Sequence, residues 1–297
     1  MKQIFNGFLN INKPPGISSS QVVGAVKKYL NTSKVGHAGT LDPLASGVLP
    51  IMLGRATKLF DYLQYKDKTY IAEVFFGKTT NTLDSDGEVI AKSNNIPSDF
   101  QIDAVLSQFL GKQNQIPPIY SALKYEGKRL YQMAREGNEI EIKPRSTEIF
   151  ELEKLSNISN NKCRILIRAK SGFYVRSFCR DLGKALDTCA YMSFLLRTNT
   201  GNFNIKNTIS IENLVEYAGD INDYILPMDF PLKHLKEIHL DKNFSKAIKN
   251  GVSISTKYFE YNSINNNDIF RVYCNNEFIG LGKIKESMLK IETLLSI

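Results

Sequence analysis

Gly36-His37-Ala38-Gly39-Thr40-Leu41-Asp42-Pro43-Leu44-Ala45-Ser46-Gly47-Val48-Leu49-Pro50 places three glycines, one histidine, one aspartate and two prolines in fifteen positions. That composition describes a rigid, tightly turned loop. Glycine permits φ > 0 and close backbone approach, and Pro43 fixes its own φ. Asp42 is also the one acidic residue among residues 1–60, which hold seven basic ones: Lys2, Lys13, Lys27, Lys28, Lys34, Arg55 and Lys58. A lone carboxylate in a basic stretch has two readings. Asp42-Pro43 can be a simple turn, since Asp before Pro favours turn initiation. Alternatively, the loop holds one carboxylate in a single orientation where an anionic ligand will lie, as a catalytic group requires. On charge alone the turn is the simpler reading.

On either side of this loop, the chain mixes strands and helices without regular alternation. Residues 5–12 and Tyr70–Phe76 read as strands, and so does Cys163–Ala169, where Cys163, Ile165, Ile167 and Ala169 alternate with polar residues. Ser98 and Gln101 form a capping box for a helix over 98–111. Its stripe would be Ile102, Val105, Leu106, Phe109 and Leu110, and Gly111 would stop it. Residues 176–186 predict a second helix with Phe178, Cys179, Leu182, Ala185 and Leu186 inward, and 20–30 and 210–218 predict two more. An α+β fold follows, rather than a doubly wound one.

Two features divide the chain. Residues 112–145 form a long connection with Pro117, Pro118, Gly127, Gly137 and seven basic against four acidic residues; its Tyr120, Leu123, Tyr125, Leu130 and Tyr131 argue for order and function. A break near Pro227–Pro231 precedes residues 233–297, which hold ten basic and seven acidic residues and strand-like runs such as Ile269–Tyr273. The expected division is a catalytic domain over 1–232, with 112–145 inserted, and a small β-rich domain over 233–297.

Composition limits the function. The 297 residues carry a net charge of +8, which points toward a polyanionic partner. Four cysteines without close pairing make neither a disulfide framework nor a zinc site, and three histidines do not make a multi-histidine metal site. No apolar run reaches the roughly 20 residues of a membrane span, and Asn6, Gly7, Asn10 and Asn12 interrupt any signal-peptide core. A reduced, soluble, cytoplasmic protein is expected, with no cofactor and no metal. Gly77-Lys78-Thr79 fails as a phosphate loop because Ala72 stands where its first glycine belongs. Ser171-Gly172-Phe173-Tyr174-Val175-Arg176 matches an RNA-stacking strand only in part.

The loop resembles the hallmark of the TruB family of tRNA pseudouridine synthases, Gly-His-x-Gly-Thr-Leu-Asp-Pro-x-Ala-x-Gly-x-Leu, in full. Similar matches are Asn12-Lys13-Pro14-Pro15-Gly16 with Ser18-Ser19, Gly54-Arg55-Ala56-Thr57-Lys58, Lys68-Thr69-Tyr70 and Thr82-x-Asp84-x-Asp86-Gly87. Gln115-x-Pro117-Pro118-x-Tyr120-Ser121-Ala122 and Ser171-Gly172-x-Tyr174-Val175-Arg176 with Asp181-Leu182-Gly183 complete a set covering about residues 5–205 in order. Beyond 233 the resemblance fades, so a PUA-like or family-specific RNA-binding domain there rests on position and charge.

The resemblance implies a mixed, largely antiparallel central sheet flanked by helices, and the isomerisation of the T-loop uridine (position 55) of tRNA without cofactor or metal. It implies binding of the tRNA T arm and flipping of the target base out of its stack; a monomer is expected. Asp42 would be the essential aspartate. Arg176 would pair with it bidentately, and Tyr70 would stack on the base and move a proton. Leu195 would line the base pocket and His37 would face the RNA loop. Gly39, Thr40, Lys13, Lys124 and Arg129 would bind substrate, with Lys128 and Arg135 also facing phosphates from the insertion. The bland readings are a helix-start arginine, a strand aromatic, a core leucine and a solvated loop histidine. Alternatives are a guide-RNA-dependent relative and a non-catalytic RNA-binding protein.

The two basic segments make the RNA affinity salt-dependent. Equilibrium binding over a potassium chloride series should fall with a log–log slope of about −0.7 to −0.9 per phosphate contact. A flat response would contradict the basic footprint.

Overall fold

The computed structural model describes residues 5–63, 67–121, 124–125, 128–129, 142–261 and 268–295. The chain begins with β1 (Gly7–Lys13), α1 (Ser19–Tyr29), β2 (Val35–His37), β3 (Ser46–Leu53), a 3₁₀ run (Gly54–Leu63) and β4 (Lys68–Phe76). A hairpin of β5 (Lys78–Thr80) and β6 (Val89–Lys92) leads to α2 (Asp99–Leu106) and β7 (Gly111–Gln115). The short pair β8 (Lys124–Tyr125) and β9 (Lys128–Arg129) precedes β10 (Arg145–Lys154), β11 (Lys162–Ala169), α3 (Val175–Ala185), β12 (Ala190–Thr200), β13 (Phe203–Asn204) and α4 (Ile211–Glu216). The C-terminal part contains β14 (Glu237–Leu240), α5 (Ser245–Lys249), β15 (Ile254–Ser255), β16 (Ile269–Cys274), β17 (Glu277–Lys285) and β18 (Met288–Leu294).

The main sheet runs β1-β3-β12-β4-β11-β10-β7, with β2 on β3 and β13 on β12. It is antiparallel except where β12 meets β3. The α+β class and the largely antiparallel central sheet read from the sequence are what the fold shows. Tyr70, Ala72, Val74 and Phe76 of β4 face the core, as do Cys163, Ile165, Ile167 and Ala169 of β11. They pack with Phe178, Cys179 and Leu182 from α3 in one apolar cluster. Period-two alternation in the strands and a stripe on the helix put these residues on facing surfaces.

The second sheet, β14-β16-β17-β18-β15, makes the C-terminal part β-rich, as its sequence suggested. It is not separate from the first. Phe8, Val48 and Met52 of the main sheet share an apolar cluster with Leu232, Leu281 and Leu295. Arg55 Nη1 donates to the Leu295 carbonyl at 2.8 Å, and the Tyr62 and Thr293 hydroxyls lie 3.0 Å apart.

Local expectations meet the structure unevenly. The Ser98–Gln101 capping box forms, with Ser98 N donating to Gln101 Oε1 at 2.8 Å. The helix it starts ends at Leu106, however, and one 3₁₀ turn (Ser107–Phe109) follows. Leu110, expected on the apolar stripe, is exposed because the chain has already left the helix for β7. Ala185 is exposed as well, since Gly183, not Ala185, is the residue of that turn pressed against Ala190. Residues 112–115 do not belong to a loop: β7 pairs with β10 from Gly111↔Ile149 to Gln115↔Arg145. The connection proper therefore runs between Gln115 and Arg145. Leu123, Gly127, Leu130, Tyr131, Arg135 and Gly137 lie outside the described residues.

The entry of β12 between β3 and β4 imposes one steric demand. Gly47 has φ +103°, and a Cβ there would sit 2.3 Å from the Arg197 carbonyl oxygen. Gly47→Ala should therefore destabilise the protein by about 2 kcal/mol or more, combining an unfavourable backbone region with a main-chain clash. Urea unfolding against Gly16→Ala checks it. Gly16 shares a positive φ (+87°) but faces open space, so the clash predicts that Gly47→Ala costs clearly more than the control.

Candidate active site

The loop between β2 and β3 is held from below. Ser19, in the first turn of α1, accepts from Leu41 N at 2.9 Å and donates to the Leu41 carbonyl at 3.0 Å. Gly16 N and Lys13 Nζ both donate to the Pro43 carbonyl, at 2.8 and 3.0 Å. Asp42 itself makes a turn, its carbonyl accepting from Ala45 N at 3.1 Å. The turn reading of Asp42 is met, and the turn leaves the carboxylate one-third exposed.

Arg176 meets that carboxylate. It lies in the first turn of α3, where Gln115 at the end of β7 satisfies the helix start through Tyr174 N (2.8 Å) and the Tyr174 carbonyl (3.0 Å). Arg176 is 6% exposed and uses its fork fully. Nε reaches Asp42 Oδ2 at 2.9 Å, Nη1 reaches the Thr82 carbonyl at 3.1 Å and Asp84 Oδ2 at 3.4 Å, and Nη2 donates to the Tyr120 carbonyl at 2.9 Å. The expected bidentate contact with Asp42 is therefore not made. Nε faces Asp42, while the other nitrogens serve two further segments, the turn holding Thr82 and Asp84 and the chain at Tyr120. Asp84 is buried and takes the Thr82 hydroxyl at 2.5 Å and Asp86 N at 3.1 Å. Burial pushes its carboxyl above the ordinary carboxylate value, while those bonds and Arg176 pull it down.

Tyr70 and Leu195 form the apolar wall, both buried in the cluster that includes Leu41 and Ala45. Burial raises the Tyr70 hydroxyl above its usual pKa, and the neighbouring Arg197 opposes that rise. Arg197 is 1% exposed. Its Nε donates to the Val48 carbonyl at 2.8 Å, Nη1 to Thr40 at 3.2 Å and Nη2 to Gly39 at 3.3 Å. It thereby ties both limbs of the loop to β12. Gly39, at φ +130°, brings its backbone close to Arg197 and to Lys68. Burial pulls the Lys68 ammonium down to about 8, and the Arg197 cation adds to this. Thr40 is exposed at the loop tip. His37 is half-buried at the end of β2, with Nδ1 buried and without a hydrogen-bond partner among the described residues. Burial, and secondly Arg197, lower its pKa, favouring the neutral ring.

Asp42 pairs with Arg176, Arg197 acts on Gly39, Thr40, Tyr70 and His37, and Leu195 shares the apolar cluster of Tyr70. Lys13 sits elsewhere in the same construction. It is 0% exposed, and its three donors go to the carbonyls of Pro14 (2.8 Å), Ile17 (2.6 Å) and Pro43 (3.0 Å). It braces the loop and has no donor left for a phosphate, which corrects the expectation that it binds substrate. Lys124 stands opposite Arg129 in the β8–β9 pair, away from the loop in sequence. Three participants escaped the sequence reading. Asp84 lay in a quoted motif without a role. Lys68 stood two residues before Tyr70, and Arg197 stood two residues after Leu195. Period-two spacing was the available signal for both cations. Among the described residues no three His, Cys, Asp or Glu side chains are grouped to hold a metal ion.

Residues 27–175 match the TruB family pseudouridylate synthase N-terminal domain, and residues 176–233 match the tRNA pseudouridylate synthase B C-terminal domain. The tRNA pseudouridine synthase B of Alkaliphilus oremlandii is 41% identical over 94% of this chain and 93% of its own length. That of Clostridium kluyveri is 42% identical over 97% and 99%. Among solved structures, an H/ACA ribonucleoprotein bound to a substrate RNA containing 2'-deoxyuridine superposes with a TM-score of 0.77 at 24% identity, covering 98% of this chain and 85% of that one. An archaeal box H/ACA complex gives 0.74 at 25% identity, covering 98% and 86%. With its hallmark loop, its Asp42–Arg176 pair and near-complete overlap with these relatives, the chain belongs to the TruB family of pseudouridylate synthases.

Proposed function

We propose that this protein converts a uridine of tRNA into pseudouridine, acting on the T-loop uridine at position 55 without a guide RNA. The observation that carries this is the Asp42–Arg176 contact, 2.9 Å long, beside the apolar cluster that holds Tyr70, Leu195, Leu41 and Ala45. One carboxylate is presented in one orientation beside an aromatic ring, which suits work on the sugar of an extruded nucleotide whose base lies on that ring.

The reaction is an isomerisation. The N1–C1′ bond breaks, the base turns, C5 bonds to C1′, and a proton leaves C5 while N1 gains one. Atoms and electrons balance without a co-reactant. Asp42 acts at C1′, where positive charge develops as the bond breaks, and Arg176, itself paired with Asp84, fixes its position. Leu195 and the Tyr70 ring bind the base, and the Tyr70 hydroxyl moves the C5 proton. The relatives of about 40% identity are named as tRNA enzymes, whereas the ribonucleoprotein structures are matched at 24–25% identity; this favours tRNA over a guided substrate. A non-catalytic RNA binder would have no use for the Asp42–Arg176–Asp84 constellation.

The remaining parts of the reading are proposals of the same kind. The chain between Gln115 and Arg145, with Lys124 and Arg129, grips the T arm. Residues 1–232 act as the catalytic domain and 233–297 as an RNA-binding one. The protein works as a cytoplasmic monomer. Among the described residues no helix is long and apolar enough to cross a membrane.

Two substitutions test the chemistry. Asp42→Asn keeps the shape and removes the charge; pseudouridine formation on a tRNA transcript should be abolished while tRNA binding stays near wild type. Turnover within tenfold of wild type would remove Asp42 from the mechanism. Tyr70→Phe keeps the stacking face, worth about 1–3 kcal/mol per base. If the hydroxyl moves the C5 proton, the single-turnover rate should fall by about 10²–10⁴-fold. A loss under tenfold would leave Tyr70 as a platform only.

A further inference from the structure

We propose that Lys68, with the Ser171 hydroxyl beside it, forms a subsite for one phosphodiester group of the RNA backbone flanking the uridine that lies on Tyr70; this rests on the functional reading above. Among the described residues, the site and its brace include the cationic side chains of Lys13, Lys68, Arg176 and Arg197. Three of them are fully engaged by the protein. Lys13 gives its donors to three carbonyls. Arg176 serves Asp42, Asp84 and two carbonyls. Arg197 serves three carbonyls and acts on Tyr70. Lys68 differs. An ammonium has three donors, and among the described residues its hydrogen bonding amounts to one long contact, 3.4 Å to Ser171 Oγ.

Nothing of opposite charge offsets Lys68 among the described residues. The charge acting on it is the Arg197 cation, so the enclosed ammonium is costly until an anion arrives. The Gly39 backbone lies beside it: a Cβ there would stand 3.7 Å from Lys68 Nζ and 4.0 Å from Arg197 Nη1, ordinary contact distances. Ser171 is only half-buried and Gly172 beside it is exposed, so the subsite opens to the surface there.

Strand geometry relates this subsite to the base. Lys68 and Tyr70 are two residues apart on β4, so their side chains leave the same face about 6.5 Å apart. A base on the Tyr70 ring places an adjoining backbone phosphate within reach of Lys68, where the ammonium and a hydroxyl both donate to it. Such charge-assisted bonds are the strong ones.

The test uses T-arm stem–loop RNA in which the phosphates on the 5′ and 3′ sides of the target uridine are replaced, one at a time, by neutral methylphosphonate. Equilibrium binding is measured for the wild type, Lys68→Met and Lys68→Arg. One of the two replacements should weaken wild-type binding by about tenfold, the scale of a lost hydrogen bond to a charged group, and should change Lys68→Met by less than about twofold. Lys68→Met should also flatten the log–log salt dependence by about 0.7–0.9, one phosphate contact, and Lys68→Arg should restore it. Should neither replacement affect the wild type, which needs no variant to fold, the subsite does not exist. Equal sensitivity of Lys68→Met and wild type to the replacement would also overturn it. Wild-type conversion of the unmodified stem–loop is scored in parallel. Failure to form pseudouridine overturns the functional reading itself, whereas product formation with indifferent phosphates overturns this subsite alone.

Discussion

Strand β12 lies between β3 and β4, and its backbone presses directly on Gly47. In one direction it pairs parallel with β3, setting Arg197 beside Gly47; in the other it pairs antiparallel with β4, setting Arg197 beside Tyr70. The loop carrying Asp42 and the strand carrying Tyr70 therefore meet through one residue of a third strand. The approach is so close that no Cβ fits at residue 47. Arg197 then uses its fork on Gly39, Thr40 and Val48, taking carbonyls from both limbs of the loop. Buried carbonyls without partners would be costly, and one guanidinium satisfies three of them.

The electrostatics of the site follow from the same economy of donors. Arg176 is too buried to remain unpaired, and Asp42 and Asp84 on either side supply compensation while the Thr82 and Tyr120 carbonyls take what remains. A guanidinium so committed cannot swing toward substrate; it holds a carboxylate still. Lys13, which in sequence looks like one more basic residue of an RNA-facing arm, is a brace beneath the turn. Charge counting along the chain cannot separate the two roles. A lysine facing RNA and a lysine capping three carbonyls contribute equally to a net charge, and only burial tells them apart.

The reading from sequence is strongest where local rules govern. The Ser98–Gln101 box, the alternation in β4 and β11 and the inward stripe of Phe178, Cys179 and Leu182 all depend on neighbours a few residues away. It is weaker at ends and edges. Leu110 and Ala185 fit an apolar periodicity and are exposed, because what covers a helix face is decided by the neighbouring element. Residues 112–115 look like the start of a loop, being polar and followed by prolines, yet form an edge strand whose partner β10 lies about thirty residues later.

The sequence by itself determined the loop, its single carboxylate, the family resemblance and the mixed architecture, since each is written in residue types at fixed short spacings. Tertiary structure alone decided how these residues share donors: that Arg176 spends one nitrogen on Asp42 and the rest on Asp84, Thr82 and Tyr120, that Arg197 joins loop to strand, and that Lys68 keeps donors to spare. The physical reason is range. Propensity, capping and periodicity act within a few residues, whereas a hydrogen bond is satisfied by whatever the sheet brings within about 3 Å, and here the partners stand up to 158 residues away along the chain.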